Sequence, residues 1–129
     1  MNADKKPNLT MLCDFYELTM GNGYFQCGYK DRITYFDVFF RTVPDNGGFA
    51  IAAGLEQAVR YIQQLHFDED DIAYLRGRGI FSEDFLSYLR DFRFTGDIWA
   101  VPEGTPIFPG EPIVTVRGPV CLLYTSPSP

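Results

Sequence analysis

The segment Asp14–Met20 reads DFYELTM, and the segment Ile33–Arg41 reads ITYFDVFFR. The first places a carboxylate, an aromatic ring and a hydroxyl within two turns of a predicted helix. The second is a β-branched and aromatic strand that ends in a cation. Because α/β sheets collect ligand sites where their strands end, an arginine there can present a planar fork to phosphate oxygens. The two segments together suit an aromatic, anionic, phosphate-bearing ligand.

Composition limits the class of protein. The 129 residues suffice for one domain with a buried core, and 46% of them are hydrophobic. Twelve Phe and eight Tyr are many for this length, so we expect some of them to lie on surface meant for another domain or subunit. The formal net charge of −6 and the lack of a basic run argue against a nucleic-acid or anionic-membrane partner.

The sequence carries no targeting signal, which predicts a cytoplasmic protein. Its polar start lacks an apolar signal core, and no window is apolar enough to span a bilayer. Cys13, Cys27 and Cys121 are odd in number and lack metal-ligand spacing, so we interpret them as reduced packing residues. His66 can be a general base or a partly buried structural histidine. The acidic run Asp68–Asp71 is interpreted as a solvated helix start, since consecutive carboxylates point in different directions on a helix.

The first helix is predicted to cover Met11–Gln26, with Asn8 or Thr10 as its N-cap and Gly28 after its end. Gly21 and Gly23 each lower helix propensity by about 1 kcal/mol relative to Ala, so we expect close packing there. The apolar face of this helix is predicted from residues at helical spacing: Leu12, Phe15, Tyr16, Thr19, Met20, Gly23 and Tyr24.

The remaining pattern predicts three more helices and several strands. The strand Ile33–Phe40 is apolar on both faces, which favours a central position in its sheet. Helices are predicted over Gly54–Leu65, after the acids that begin at Asp68, and after the capping residue Ser82. Short strands separated by Pro and Gly follow Asp97 and fit a small curled or hammerhead-like sheet.

Several motifs occur in a fixed order between Asn8 and Val120: Leu9–Met20 with Gly23-Tyr24, Phe36–Arg41, Gly48–Glu56, Gly104-Thr105-Pro106 and Gly110-Glu111-Pro112. In combination they resemble the amino-terminal region of bacterial-type nicotinate phosphoribosyltransferases. Members of that family couple nicotinate to 5-phosphoribosyl 1-diphosphate. ATP hydrolysis drives this step of NAD biosynthesis, which yields nicotinate mononucleotide and diphosphate.

The resemblance implies an α+β fold, the amino-terminal domain of a type II phosphoribosyltransferase. A mixed sheet flanked by helices and a hammerhead-like strand region are expected. Residues 1–120 are predicted to form this domain incompletely, and residues 121–129 to be a foreign or disordered tail, because Thr-Ser-Pro-Ser-Pro is of low complexity. Since the family's catalytic groups lie in a following α/β barrel, the chain alone is expected to be inactive, and no residue is assigned as catalytic or metal-binding.

The resemblance also implies roles for individual residues. Tyr16 matches the aromatic residue that stacks on the pyridine ring across a homodimer interface, and Arg41 matches a position facing the phosphates of the ribosyl donor. Asp14 and Thr19 are then expected to brace the first helix. Mg²⁺ and ATP are implied as cofactors, held mostly by groups outside this chain. The residues alone leave two alternatives open: a buried Tyr16 and an ion-paired Arg41.

Other functions also remain open at this point. A nicotinamide- or quinolinate-using phosphoribosyltransferase is the nearest enzymatic alternative. A non-catalytic binding or dimerisation module is the alternative from another class. Gly47-Gly48 has neither dinucleotide-binding nor P-loop spacing, so we interpret it as a tight turn rather than a phosphate loop.

Overall fold

The computed structural model describes residues 8–122, and their fold is α+β, as predicted. Four helices pack beside two small sheets. The helices are α1 (Phe15–Gln26), α2 (Leu55–Gln64), α3 (Glu69–Gly77) and α4 (Glu83–Arg90). The strands are β1 (Ile33–Val38), β2 (Ala50–Ile51), β3 (Asp97–Ala100), β4 (Pro106–Ile107) and β5 (Val114–Pro119), with 3₁₀ turns at Pro44–Asn46 and Val120–Leu122. No helix in this part of the chain is long and apolar enough to cross a membrane.

The segment before α1 is not helical, so the predicted start at Met11 and both predicted caps are wrong. Asp14 is the N-cap. Asn8 instead donates from Nδ2 to the carbonyl of His66 at 3.1 Å, and the Thr10 hydroxyl accepts from the backbone N–H of His66 at 3.1 Å. These polar side chains therefore tie the amino-terminal segment to the connection between α2 and α3. Gly28 follows the helix with a φ of 74°, as predicted for a left-handed end.

α1 buries a different face from the one predicted. Its buried residues are Glu17, Leu18 and Gly21, and Leu18 joins a core shared with α3 and α4: Ile72, Leu75, Phe85, Leu86 and Leu89. The predicted face stays outside, with large exposed side chains at Leu12, Phe15, Tyr16 and Met20. Gly21 is buried, but a Cβ there would lie 3.5 Å from the Phe85 ring, an ordinary contact distance, so the packing does not require a glycine. The space beside Gly23 is open, and the close packing predicted there is wrong.

α3 and α4 each begin with a side-chain cap, of which the sequence predicted the one at Ser82. Asp68 Oδ1 accepts from the backbone N–H of Asp71 at 2.9 Å, and Asp71 Oδ2 accepts from that of Asp68 at 3.1 Å. The first of these bonds lowers the pKa of Asp68, while burial raises the pKa of Asp71. Ser82 caps α4 by accepting from the backbone N–H of Phe85 at 3.3 Å. α2 also forms where predicted, but none of its residues is buried.

The sheets are antiparallel within residues 8–122, which corrects the predicted mixed sheet. Three strands pair in the order β1-β5-β3, and β2 pairs with β4. β1 is therefore an edge strand, and the predicted central position is wrong. Tyr35 and Phe36 on β1 are 64% and 39% exposed. The apolar side chains of β1 predicted burial on both faces of the strand. Several of them are instead exposed among the described residues.

Cys13, Cys27 and Cys121 are free thiols, but Cys27 is exposed, so its predicted role as a packing residue is wrong. Cys121 Sγ donates to the carbonyl of Gly21 at 3.5 Å, so the first tail residue contacts α1. Burial raises the pKa of Cys13 and that of Cys121 to about 11, whereas Cys27 is exposed. The rest of the predicted tail, residues 123–129, lies outside the described residues.

A pair of glycine substitutions tests the packing of β3 against β5. A Cβ at Gly96 would lie 2.1 Å from the carbonyl oxygen of Arg117, so Gly96→Ala must displace one strand and is expected to destabilise the chain by about 1–3 kcal/mol. Gly23→Ala adds a methyl group in open space on a helix and is expected to stabilise it by about 0.5–1 kcal/mol. Urea unfolding followed by circular dichroism measures both. A Gly96→Ala variant as stable as the parent contradicts the strand packing.

Alkylation kinetics test the burial of the thiols. With a pKa of about 11, Cys13 and Cys121 carry roughly 0.1% thiolate near pH 8, and this fraction rises about tenfold per pH unit. Iodoacetamide is therefore expected to modify Cys27 first, as mass spectrometry of peptides will show. In urea all three thiols should react at similar rates. Equal rates in the native protein contradict the packing of Cys13 and Cys121.

Candidate functional site

Tyr16 lies on the outer side of α1, and it is 49% exposed. This exposure contradicts the alternative of a buried structural tyrosine. Its backbone carbonyl accepts from the Thr19 hydroxyl at 2.8 Å, while no hydrogen bond to the phenol oxygen forms within residues 8–122. Leu18, two residues further on, is only 8% exposed and anchors the opposite side of the helix. The Tyr16 ring is therefore held on a fixed helix and remains accessible from outside.

Phe15, Tyr16, Thr19 and Met20 form what we call the outer face of α1. Phe15 and Met20 are 39% and 41% exposed. The Phe15 ring meets the Phe81 ring edge-on at 5.8 Å, and the Arg78 guanidinium lies 5.7 Å from the Phe15 ring centre. Arg78 is the C-cap of α3. Its position beside α1 follows from the packing of α1 on α3, which local sequence patterns do not reveal.

Asp14 and Thr19 act on the backbone of α1 in different ways. The Asp14 carbonyl accepts from the backbone N–H of Glu17 at 3.0 Å, whereas its carboxylate makes no capping hydrogen bond. The Thr19 hydroxyl donates a hydrogen bond to the Tyr16 carbonyl. Thr19 thus contacts the turn that carries Tyr16, while the Asp14 carboxylate remains at the exposed start of the helix.

Arg41 follows the end of β1 by three residues and is exposed. No carboxylate within residues 8–122 pairs with its guanidinium. The described residues therefore do not form the structural ion pair that was the alternative for Arg41. The backbone before it is fixed, because the Phe40 carbonyl accepts from the N–H of Gly110 at 2.9 Å and the Val38 carbonyl from that of Ile113 at 2.8 Å. Arg41 therefore presents a cation without an ion-pair partner from an anchored segment.

Arg41 does not lie at the end of a strand in a parallel sheet, so the predicted reason for a ligand site there is wrong. Ligand sites gather at strand ends in parallel sheets, but β1 is antiparallel to β5. Arg41 is therefore a candidate for ligand binding because its charge is unpaired within residues 8–122, and not because it follows a strand end. No hydrogen bond or cation–π contact joins Tyr16 to Arg41 in the part of the chain that the structure describes. The two side chains form one site only if further protein brings a ligand to both.

Other candidate groups do not form a catalytic cluster with these two. The His66 ring nitrogen Nδ1 lies 2.7 Å from the carbonyl of Gln64, so Nδ1 carries the proton, since a carbonyl oxygen only accepts. Among residues 8–122, no group of three or more His, Cys, Asp or Glu side chains is placed to hold a metal ion. The described residues therefore do not fit a Mg²⁺ site of their own.

Both the sequence and the fold of this chain match known proteins. Residues 11–125 match the family model described as the nicotinate phosphoribosyltransferase (NAPRTase) N-terminal domain. Nicotinate phosphoribosyltransferase pncB2 of Mycobacterium tuberculosis is 43% identical over 113 residues, which cover 85% of this chain and 24% of the relative. The Bacillus subtilis nicotinate phosphoribosyltransferase is 35% identical over 116 residues, covering 90% of this chain and 24% of the relative.

A solved structure agrees with these relatives. The crystal structure of human nicotinic acid phosphoribosyltransferase superposes with a TM-score of 0.78 at 33% identity, over 85% of this chain and 23% of the human one. The chain thus spans about a quarter of the length of the relatives it matches. The family match continues past Val120 to residue 125, and the foreign character of the tail stays a prediction. On the fold and on the sequence alike, the chain belongs to the nicotinate phosphoribosyltransferase family, a family of enzymes.

Proposed function

We propose that this chain supplies two substrate-contacting side chains, Tyr16 and Arg41, to a nicotinate phosphoribosyltransferase. That enzyme joins nicotinate to 5-phosphoribosyl 1-diphosphate, with ATP hydrolysis, to form nicotinate mononucleotide and diphosphate in NAD biosynthesis. The accessible ring of Tyr16 on a helix anchored through its opposite face is the observation that carries the proposal. The named relatives support the family function to which these side chains are assigned.

Tyr16 is proposed to stack on the pyridine ring of nicotinate. An offset or edge-on aromatic contact contributes about 0.5–1.5 kcal/mol beyond the burial of area, and it orients the heterocycle without requiring a charge. The outer face of α1 is apolar and exposed around this ring. We therefore propose that a second copy of the enzyme covers this face, so that Tyr16 enters the partner's cleft and the enzyme acts as a homodimer.

Arg41 is proposed to bind the phosphate groups of the ribosyl donor. A guanidinium offers two parallel N–H donors to one phosphate, which fixes geometry as well as charge. Because no carboxylate of residues 8–122 pairs with Arg41, a phosphate has no internal competitor within this region. Asp14 and Thr19 are proposed to keep the first turns of α1 in place, Thr19 through its bond to the Tyr16 carbonyl.

Mg²⁺ and ATP are proposed as cofactors of the whole enzyme, and a cytoplasmic location is proposed for it. The described residues lack a metal-binding cluster, so no step is derived through either cofactor on this chain. The role of the described residues is then to bind and orient substrates. Transfer of the phosphoribosyl group is assigned to parts of the enzyme beyond the quarter of its length that this chain matches.

A chimera tests both side chains. The matching segment of the Bacillus subtilis relative is replaced by that of this chain, and formation of nicotinate mononucleotide is measured. Tyr16→Leu is expected to raise KM for nicotinate by about tenfold, because the ring contact and its buried area are lost. Arg41→Gln is expected to raise KM for the phosphoribosyl donor by about tenfold or more, because a charge-assisted hydrogen bond is lost.

Matched controls separate these effects from general damage. Tyr29 is 46% exposed and Arg32 lies over its ring, so Tyr29→Leu and Arg32→Gln remove the same side-chain types elsewhere. Both control chimeras should keep their KM values. If Tyr16→Leu changes only the dimerisation of an active chimera, the role of Tyr16 in nicotinate binding is wrong and a dimerisation function replaces it.

The isolated chain is expected to show no phosphoribosyl transfer. Purified 129-residue chain is incubated with nicotinate, the phosphoribosyl donor, Mg²⁺ and ATP, and product is followed by chromatography. The Bacillus subtilis relative serves as the positive control under the same conditions. Formation of nicotinate mononucleotide by the isolated chain, abolished by heat denaturation, contradicts the assignment of the transfer step to other parts of the enzyme.

A further inference from the structure

A cleft of about 770 Å³ lies between α2, the amino-terminal segment and the α2–α3 connection. This volume is within the range of ordinary small-molecule sites. α2 lines it with Gln57, Arg60, Tyr61 and Gln64, and Arg93 closes it from the segment after α4. α2 buries no residue against the rest of the described chain, so this side of the helix is open to a ligand. Neither Tyr16 nor Arg41 lines the cleft.

The wall opposite α2 is fixed by hydrogen bonds. Asn8 Nδ2 donates to the His66 carbonyl and to Asp71 Oδ2, both at 3.1 Å. The Thr10 hydroxyl accepts from the His66 N–H at 3.1 Å, and the Tyr61 hydroxyl reaches the Leu9 carbonyl at 3.5 Å. These bonds connect three sequence-distant segments around one opening. A ligand therefore meets a pre-formed surface and does not have to order it.

Two guanidiniums and one carboxylate line the cleft, in a chain that is acidic overall. The chain carries a net charge of −6 with eleven Lys and Arg residues, yet the guanidiniums of Arg60 and Arg93 both line this opening. The carboxylate that lines it, Asp68, is already used as the cap of α3. Arg60 Nη2 pairs with the carboxylate of Glu56. A guanidinium has five N–H donors, so the others remain available to a ligand.

Arg93 adds a second guanidinium with spare donors. Its Nη1 donates to the Phe92 carbonyl, but no carboxylate among residues 8–122 pairs with it. The His66 ring also lines the cleft with Nδ1 held by Gln64, which leaves Nε2 for a ligand. Glutamine amides complete the lining and offer both donors and acceptors.

We propose that this cleft is a second ligand site, separate from Tyr16 and Arg41, that binds a small polar molecule through an oxyanion. Arg60 and Arg93 bind the oxyanion, and the glutamine amides contact the polar body of the molecule. Phosphate and carboxylate share the geometry that a guanidinium recognises, so both are candidates for the anionic group. The proposal does not depend on the phosphoribosyl transfer activity, because it concerns different residues.

Nuclear magnetic resonance of the full 129-residue chain tests the site. The ¹⁵N-labelled protein is titrated with inorganic phosphate and, separately, with citrate at constant ionic strength. Saturable shifts are expected at backbone amides of the cleft, among them those of Gln57 and His66. The probe that binds more tightly identifies the preferred oxyanion. Arg60→Gln and Arg93→Gln are each expected to weaken binding by about tenfold, because each removes a charge-assisted contact.

Two control variants make the outcome decisive. Arg32→Gln removes a cation that does not line the cleft and should leave the affinity unchanged, which shows that net charge alone is not responsible. Circular dichroism shows that each variant is folded. The proposal is overturned if neither probe gives saturable shifts at the cleft. It is also overturned if binding survives both Arg60→Gln and Arg93→Gln, or if Arg41→Gln rather than Arg93→Gln abolishes it.

Discussion

The burial of Leu18 in the core shared with α3 and α4 fixes the orientation of the first helix, and the proposed site depends on that orientation. On the same side of the helix, a Cβ on Gly21 would lie 3.5 Å from the Phe85 ring, an ordinary van der Waals distance. Cys121 meets the same glycine through its carbonyl. With this side of α1 held against α4, Glu17 and Leu18 are buried. The side carrying Tyr16 is thereby directed outward, where a ligand or a second subunit can reach it.

The described residues leave more apolar surface exposed than a small independent domain normally does. Exposed aromatic side chains occur on the outer face of α1, on the edge strand and in the loops around the two-stranded sheet: Phe15, Tyr16, Tyr35, Phe36, Phe39, Phe49, Trp99 and Phe108. Large apolar patches on soluble proteins mark surfaces that other protein or ligand covers. The relatives are about four times as long as the matched segment. These surfaces are therefore suited to contacts with the rest of such an enzyme.

Local signals in the sequence predicted local structure well. The acidic start of α3, the Ser82 cap and the end of α1 before Gly28 were all predicted, because each is decided by neighbouring residues. The buried face of α1 was missed because a carboxylate, Glu17, lies within it, and hydrophobic periodicity gives weight only to apolar residues. β1 was misplaced for a related reason. Apolar residues on both faces predict coverage, but not whether the described residues or other protein supplies it.

Most arginines of the chain have a carboxylate or an aromatic ring as a partner, and two of them have neither within residues 8–122. Of the eight arginines in the sequence, four form ion pairs: Arg60, Arg76, Arg90 and Arg117. Arg32 and Arg78 lie over aromatic rings. Arg41 and Arg93 have neither kind of partner within residues 8–122.

An acidic chain that pairs or stacks most of its guanidiniums leaves these two available for anions from outside. A guanidinium without a carboxylate partner binds an external oxyanion without first giving up an internal one. Sequence pattern singled out Arg41 through its place after the aromatic strand. It could not single out Arg93, because the cleft that Arg93 lines is assembled from segments about 25 to 85 residues away in sequence. Which guanidiniums the described residues leave without a carboxylate partner is therefore a property of tertiary packing rather than of any motif.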